Sequence, residues 1–161
     1  MQSRTQCEDV EGEVIFRLPA TNEGVREGVL RASELIAGFG ASEQDLTAIE
    51  LAIAEVLNNV VEHAYSQTGE GEMELRIENQ DPDLYFRILD SGHPMPKGRL
   101  PQGQAADATL EDFEQSEGGY GLHMIRQLAR KLRYTRVDQY NQLSFRITLG
   151  AERHWENDIA I

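Results

Sequence analysis

Apolar residues recur along this chain at two spacings, and each change of spacing marks where one element gives way to another. Residues 13–19, Glu-Val-Ile-Phe-Arg-Leu-Pro, read as a short strand closed by proline, a composition suited to a sheet edge. Thr21 and Asn22 then offer capping groups for a helix to about Phe39. Val25, Val29, Ala32, Leu35, Ile36 and Phe39 form its stripe, and Gly38 and Gly40 close it. Ser42-Glu43-Gln44-Asp45 has the Ser-x-x-acid form of a helix start. The helix it opens is predicted to run to about Ser66, because Leu46, Ile49, Ile53, Val56, Leu57, Val60 and Ala64 recur in three- and four-residue steps.

The period then shortens to two. Met73, Leu75 and Ile77 alternate with Glu72, Glu74, Arg76 and Glu78, and Leu84, Phe86 and Ile88 alternate with Tyr85, Arg87 and Leu89. Such runs are strands buried on one side, and the turn Gln80-Asp81-Pro82-Asp83 makes them antiparallel neighbours. Leu122, Ile125, Leu128, Ala129 and Leu132 mark a third amphipathic helix, followed by strands at 133–137 and 143–149 around a turn at 138–141. Consecutive antiparallel strands interrupted by helices predict an α+β fold. The expected form is a two-layer α/β sandwich, with a mixed, mainly antiparallel sheet and three helices on one face.

Composition changes this picture little, and charge changes it more. At 161 residues, 40% hydrophobic and 27% charged, the chain fits one domain with a real core. Residues 1–11 are expected as a flexible N-terminal tail, 12–149 as the folded domain and 150–161 as a C-terminal tail. No apolar run approaches the roughly 18 residues of a membrane span, and the polar start lacks a secretory core, so the expected location is cytoplasmic. Cys7 is alone and can form no internal disulfide. A net charge of −13 argues against direct binding to nucleic acid, which needs cations to replace counterions. It leaves room for an anionic ligand held by backbone amides and a bound cation, and it favours partners with basic surfaces.

Four stations carry candidate chemistry. Glu55 and Asn59 lie one helical turn apart and about 40° around the axis, so they can serve one object. The carboxylate can take a proton, and the carboxamide offers a neutral oxygen to a hard cation such as Mg²⁺. Asn58-Asn59 inside a helix works against local propensity, a conflict that tends to mark function. Asp90 ends a buried strand just before Ser91-Gly92, where a carboxylate can accept a hydrogen bond from an amino group such as that of adenine. From His93 to Glu117 the chain lacks periodicity, as a lid would. Gly118, Gly119 and Gly121 let backbone amides approach a phosphate at a helix start. Each station also has an ordinary reading: a solvated helix face, an Asp-Ser-Gly turn, a glycine hinge. The sequence has no Gly-x-x-x-x-Gly-Lys-Ser/Thr, His-Glu-x-x-His or Gly-x-Ser-x-Gly element, which excludes a P-loop and disfavours a zinc site and an α/β-hydrolase.

Together, Glu55 with Asn59, Asp90 with Gly92, the long loop and Gly118-Gly119-x-Gly121 resemble the GHKL superfamily of ATP-binding proteins, which includes gyrase, the MutL mismatch-repair protein and histidine kinases. The forms Glu-x-x-x-Asn-x-x-x-His-Ala-Tyr and Gly-Gly-Tyr-Gly-Leu-His-Met-Ile look most like its anti-sigma-factor serine kinase branch, over about residues 12 to 149. The resemblance implies a histidine-kinase-like ATPase domain of the Bergerat type. In it Glu55 is the general base, Asn59 coordinates Mg²⁺, Asp90 binds the adenine amino group, Gly92 allows close approach, and residues 93 to 117 are the ATP lid. His63, Pro94, Gly118, Gly119, Tyr120, Gly121 and Leu122 complete the implied nucleotide site. The implied cofactors are ATP and Mg²⁺. The implied partners are a STAS-domain anti-anti-sigma protein, phosphorylated on serine, a sequestered sigma factor or similar regulator, and a second copy in a homodimer.

Two departures stand out. The common Asp-x-Gly-x-Gly form reads Asp90-Ser91-Gly92-His93-Pro94, which stiffens the hinge, and Glu117 stands where many relatives carry a basic residue. The alternative reading is therefore a nucleotide-gated partner-switching module with little kinase activity. A histidine kinase fragment is weaker, since no helical hairpin with a phosphoacceptor histidine is visible.

Overall fold

The computed structural model describes residues 6–66, 68–95 and 125–152. Six strands form one sheet in the order β1-β2-β3-β4-β6-β5: β1 Gln6–Val10, β2 Glu13–Pro19, β3 Glu72–Gln80, β4 Asp83–Asp90, β5 Arg130–Val137 and β6 Tyr140–Thr148. Every pairing is antiparallel, so the sheet is simpler than the mixed one expected. Helices α1 (Asn22–Ala37) and α2 (Glu43–Asn59) form the second layer, giving the α+β sandwich that the sequence predicts.

The period-two patterns decide which face meets the helices. Leu75 pairs with Ile88 and Ile77 with Phe86, Phe86 pairs in turn with Phe145, and all are buried. The two phenylalanine rings stack at 4.9 Å and 13° across the central strands. Against this face lie Ile49, Ile53, Val56 and Leu57 of α2 and Val25, Ala32 and Ile36 of α1. Gly28 sets the closeness of that layer: a Cβ there would stand 2.6 Å from Leu18 Cδ1 and 2.9 Å from Leu57 Cδ1. The opposite face is polar, with Arg17 bridging Glu8 and Glu74, Arg76 meeting Glu74 and Glu13, Arg87 meeting Glu13, and Arg146 meeting Asp83.

Several boundaries differ from expectation. Gln6–Val10 lies inside the expected flexible tail, yet it pairs with β2 from Gln6↔Arg17 to Val10↔Glu13. Its five side chains are all exposed, so no apolar pattern announced it. Its presence makes β2 an interior strand rather than an edge. Pro19 is tolerated there because it occupies the last rung, opposite Glu72. The third predicted helix is helical at 125–128, with Ile125 and Ala129 buried, but the chain has entered β5 by Arg130. Leu132 therefore belongs to a strand. The β5 register shifts between Arg130 and Arg133, with Lys131 at φ 54°, and such a bulge, together with these exposed cations, discourages further pairing at that edge. Among the described residues no helix is long and apolar enough to cross a membrane.

The start of α2 is fastened on two sides. Ser42 Oγ accepts from the Asp45 N–H at 3.1 Å while Asp45 Oδ2 accepts from the Ser42 N–H at 3.2 Å, a reciprocal capping box. Asp45 also accepts from the Gly150 N–H at 3.2 Å, tying the helix start to the end of β6. A carboxylate this deeply buried is tolerable only because donors surround it. Asp45→Ala removes the cap and strands two donors, so urea denaturation should show a loss of about 1–3 kcal/mol.

Candidate functional site

The site grows from the irregular end of α2. After Asn59 the helix widens into a π-turn, Val60–Ala64, with the Tyr65 N–H reaching back to Val60 O at 3.2 Å. Such turns often accompany function, and this one replaces the regular helix expected through Ser66. It ends by gripping the sheet. The Tyr65 hydroxyl donates to the Glu72 carbonyl at 2.9 Å and accepts from the Ser91 N–H at 3.0 Å, joining the start of β3 to the end of β4. The Ala64 carbonyl accepts from the His93 N–H at 2.8 Å. Gly92 is held so close that a Cβ would stand 2.4 Å from Ala64 O. Gly92 thus permits a close approach to the helix backbone.

Asp90 closes β4, paired with Met73 on one side and Asn141 on the other, and is 7% exposed. Its Oδ1 accepts from the Gly92 N–H at 2.9 Å and from Asn141 Nδ2 at 2.7 Å. Burial pushes the carboxyl above its ordinary 3.8, and the Asn141 amide, the Gly92 N–H and the Arg136 charge pull it part of the way back.

Asn141, placed by the sequence reading in a turn, is a core-facing residue of β6 and only 4% exposed. Its Nδ2 also donates to the carbonyls of His93 at 3.0 Å and Gly92 at 3.3 Å. Its Oδ1 accepts from the Tyr134 hydroxyl at 2.6 Å and from Arg136 Nη1 at 2.7 Å. Arg136 reaches the Gly92 carbonyl at 3.0 Å, and the Met95 N–H donates to the Tyr134 hydroxyl at 3.0 Å. Asn141, Tyr134 and Arg136 are the residues that motif reasoning missed, while Tyr65, the last residue of the Glu-x-x-x-Asn-x-x-x-His-Ala-Tyr form, was given no role. One signal was available: position 141 continues the buried alternation of Leu143, Phe145 and Ile147 with a polar side chain.

An open pocket of about 420 Å³, counting the part that opens to solvent, lies between the end of α2 and the 91–95 segment. Asn59, His63, Asp90 and Pro94 stand in its wall, as do His93, Met95, Tyr134 and Asn141, over a floor that includes Val56, Ile88 and Leu143. Glu55 is partly buried one turn before Asn59 and does not line the pocket itself. Burial, then the nearby Glu62 carboxylate, push the Glu55 carboxyl above its ordinary 4.5. Gly118, Gly119, Tyr120, Gly121, Leu122 and the lid from residue 96 onward lie outside the described residues.

Asn59 is 8% exposed and its Nδ2 is buried without a partner. An unmet buried amide is costly, and the same side chain carries a neutral oxygen of the kind that a hard cation takes. Among the described residues no three His, Cys, Asp or Glu side chains gather around one point. Mg²⁺ suits such a place, since it takes one or two protein oxygens and fills its shell with water and substrate phosphates.

Comparisons with known proteins bear on the chain as a whole. The model of the histidine kinase-like ATPase domain matches residues 18–147. Serine-protein kinase RsbW of Bacillus licheniformis is 29% identical over 143 residues, 86% of each chain. RsbW of Staphylococcus epidermidis is 34% identical over 118 residues, 70% of this chain and 72% of the relative. The solved RsbU and RsbW domains of a Mycobacterium tuberculosis protein superpose with a TM-score of 0.61 at 19% identity, over 90% of this chain. The match spans 34% of that longer chain and shows the fold.

Two outcomes follow for the isolated protein. Gly92→Ala forces Ala64 and the 91–95 segment apart, so its melting temperature should fall and nucleotide binding should weaken with it. The raised Glu55 carboxyl means that the fold disfavours its charged form. That penalty is absent below the ordinary 4.5, grows as pH rises through the raised value, and is full at neutral pH. Glu55→Gln should therefore melt higher than the wild type at neutral pH, with the gain vanishing at a pH well below 4.5.

Proposed function

The chain belongs to the histidine kinase-like ATPase domain family and, within it, to the RsbW-like serine-protein kinases, and from that premise we propose that it transfers the γ-phosphoryl group of ATP to a serine of a partner protein. The observation that carries this reading is the meeting of two distant residues at one pocket: the buried Asp90 carboxylate from β4 and the unmet Asn59 amide from α2. Both protein donors to Asp90 converge on Oδ1, which leaves Oδ2 to accept from the adenine amino group. Asn59 would hold Mg²⁺, which when bound neutralises charge on the phosphates.

In the transfer, the serine oxygen attacks the γ-phosphorus, the bond to the β-phosphate oxygen breaks, and ADP leaves. Glu55 accepts the hydroxyl proton, and a carboxyl held above its ordinary range is the more basic for it. The phosphate contacts are assigned to Gly118, Gly119, Tyr120, Gly121 and Leu122, under a lid reaching from His93 to Glu117. His63 and Pro94 flank the nucleotide.

The protein substrate is a STAS-domain anti-anti-sigma protein. The unoccupied kinase, as a homodimer, sequesters a sigma factor or similar regulator in the cytoplasm, with no direct contact to nucleic acid or membrane. The RsbW relatives are serine-protein kinases, which supports serine as the accepting residue.

Labelled ATP, Mg²⁺ and a STAS-domain protein provide the test. Glu55→Gln should lower phosphate transfer by about 10²-fold or more while ATP still binds. Asp90→Asn should weaken ATP binding itself by roughly tenfold. Equal transfer by wild type and Glu55→Gln removes the base from the mechanism. Unimpaired ATP binding by Asp90→Asn removes the adenine contact.

A further inference from the structure

Two β5 side chains that this reading does not use, Tyr134 and Arg136, both aim at Asn141. The neighbours of Asn141 favour one orientation of its amide, and the loss of either donor to Oδ1 weakens that preference. On one side stand the Gly92 and His93 carbonyls and the Asp90 carboxylate, which can only accept, so the atom facing them must be the NH₂. On the other stands Arg136, which can only donate. The Tyr134 oxygen is already taken as acceptor by the Met95 N–H, which commits its own proton to Asn141 Oδ1.

The amide matters because of what it faces. Turned over, it would set its oxygen against Asp90 Oδ1 at the present 2.7 Å, and the carboxyl would have to rotate or take a proton. A rotated or protonated carboxyl no longer offers a fixed acceptor. It could donate instead, and so would admit a purine with a carbonyl where adenine has its amino group.

We infer that Tyr134, assisted by Arg136, is a positioning residue for purine selectivity: through Asn141 it keeps the Asp90 carboxylate in place as an acceptor for an amino-bearing base. The inference rests on the adenine role proposed for Asp90. It reaches beyond that role by locating part of the discrimination in a strand away from the bond to be broken, where Tyr134 acts on Asp90 through Asn141 and the Arg136 charge acts on it directly as well. The same hydroxyl holds the Met95 N–H, so the selectivity device and the 91–95 segment share one anchor.

Calorimetric titration of the full chain with ATP and with inosine triphosphate, which carries a carbonyl in place of the amino group, provides the test. Tyr134→Phe keeps the ring and removes the hydroxyl. It should weaken ATP binding by roughly tenfold and leave inosine triphosphate within about twofold, so that the preference collapses. Arg136→Met, at an exposed position, should move the preference in the same direction, and it decides the matter alone should Tyr134→Phe not fold. A merely structural tyrosine would lower the melting temperature and weaken both nucleotides alike, and that result overturns the inference. A wild type with no preference for ATP overturns the Asp90 reading as well. A wild-type preference that survives in both variants overturns only the role of Tyr134 and Arg136.

Discussion

One contact governs the organisation of this molecule: a buried carboxylate at the end of β4 meets a buried amide on β6 at 2.7 Å. A carboxylate removed from water demands donors, and a primary amide in the core demands both donors and acceptors. Asp90 and Asn141 answer part of each other's need. The remainder is met by the 91–95 segment and by β5, so two strands and the chain leaving them are fixed in one network.

A second constraint comes from the helix layer. The π-turn Val60–Ala64 ends α2 against the sheet, and Tyr65 fastens it to β3 and β4 at once. Asn59 stands where regular helix gives way to that turn, carrying an amide with no protein partner. The local conflict in Asn58-Asn59 is therefore real, and it sits at the wall of the pocket. Glu55, one turn earlier, stays in the regular helix and keeps its carboxyl partly out of water.

Much of this was legible in the sequence because burial imposes periodicity. The alternation at Met73, Leu75 and Ile77, and again at Leu84, Phe86 and Ile88, named both the strands and their inner face. The capping box at Ser42 and Asp45 named the start of α2. Strand β1 was illegible because it buries nothing and is held by backbone bonds and by ion pairing to β2. The third helix was drawn too long because Leu132 fits a helical stripe and a bulged strand equally well. For the site, Asp90 and Asn59 could be found because each has a neighbouring signal, a glycine or a second asparagine. Tyr134 and Arg136 had none, and Asn141 only a polar break in an apolar alternation, since their roles depend on β6 lying beside β4 and β5 beside β6, a fact of topology rather than of local pattern.

The strand order has a bearing on biosynthesis. Strand β6 is the last of the six described strands to leave the ribosome, yet it lies between β4 and β5, so that sheet is completed from within. A nascent chain that ends before Tyr140 exposes the open edge of β4, with Leu84, Phe86 and Ile88 on its inner face, and has no amide to meet Asp90. A chain that stops short of the β5–β6 hairpin therefore carries an Asp90 without its amide beside an unpaired strand edge.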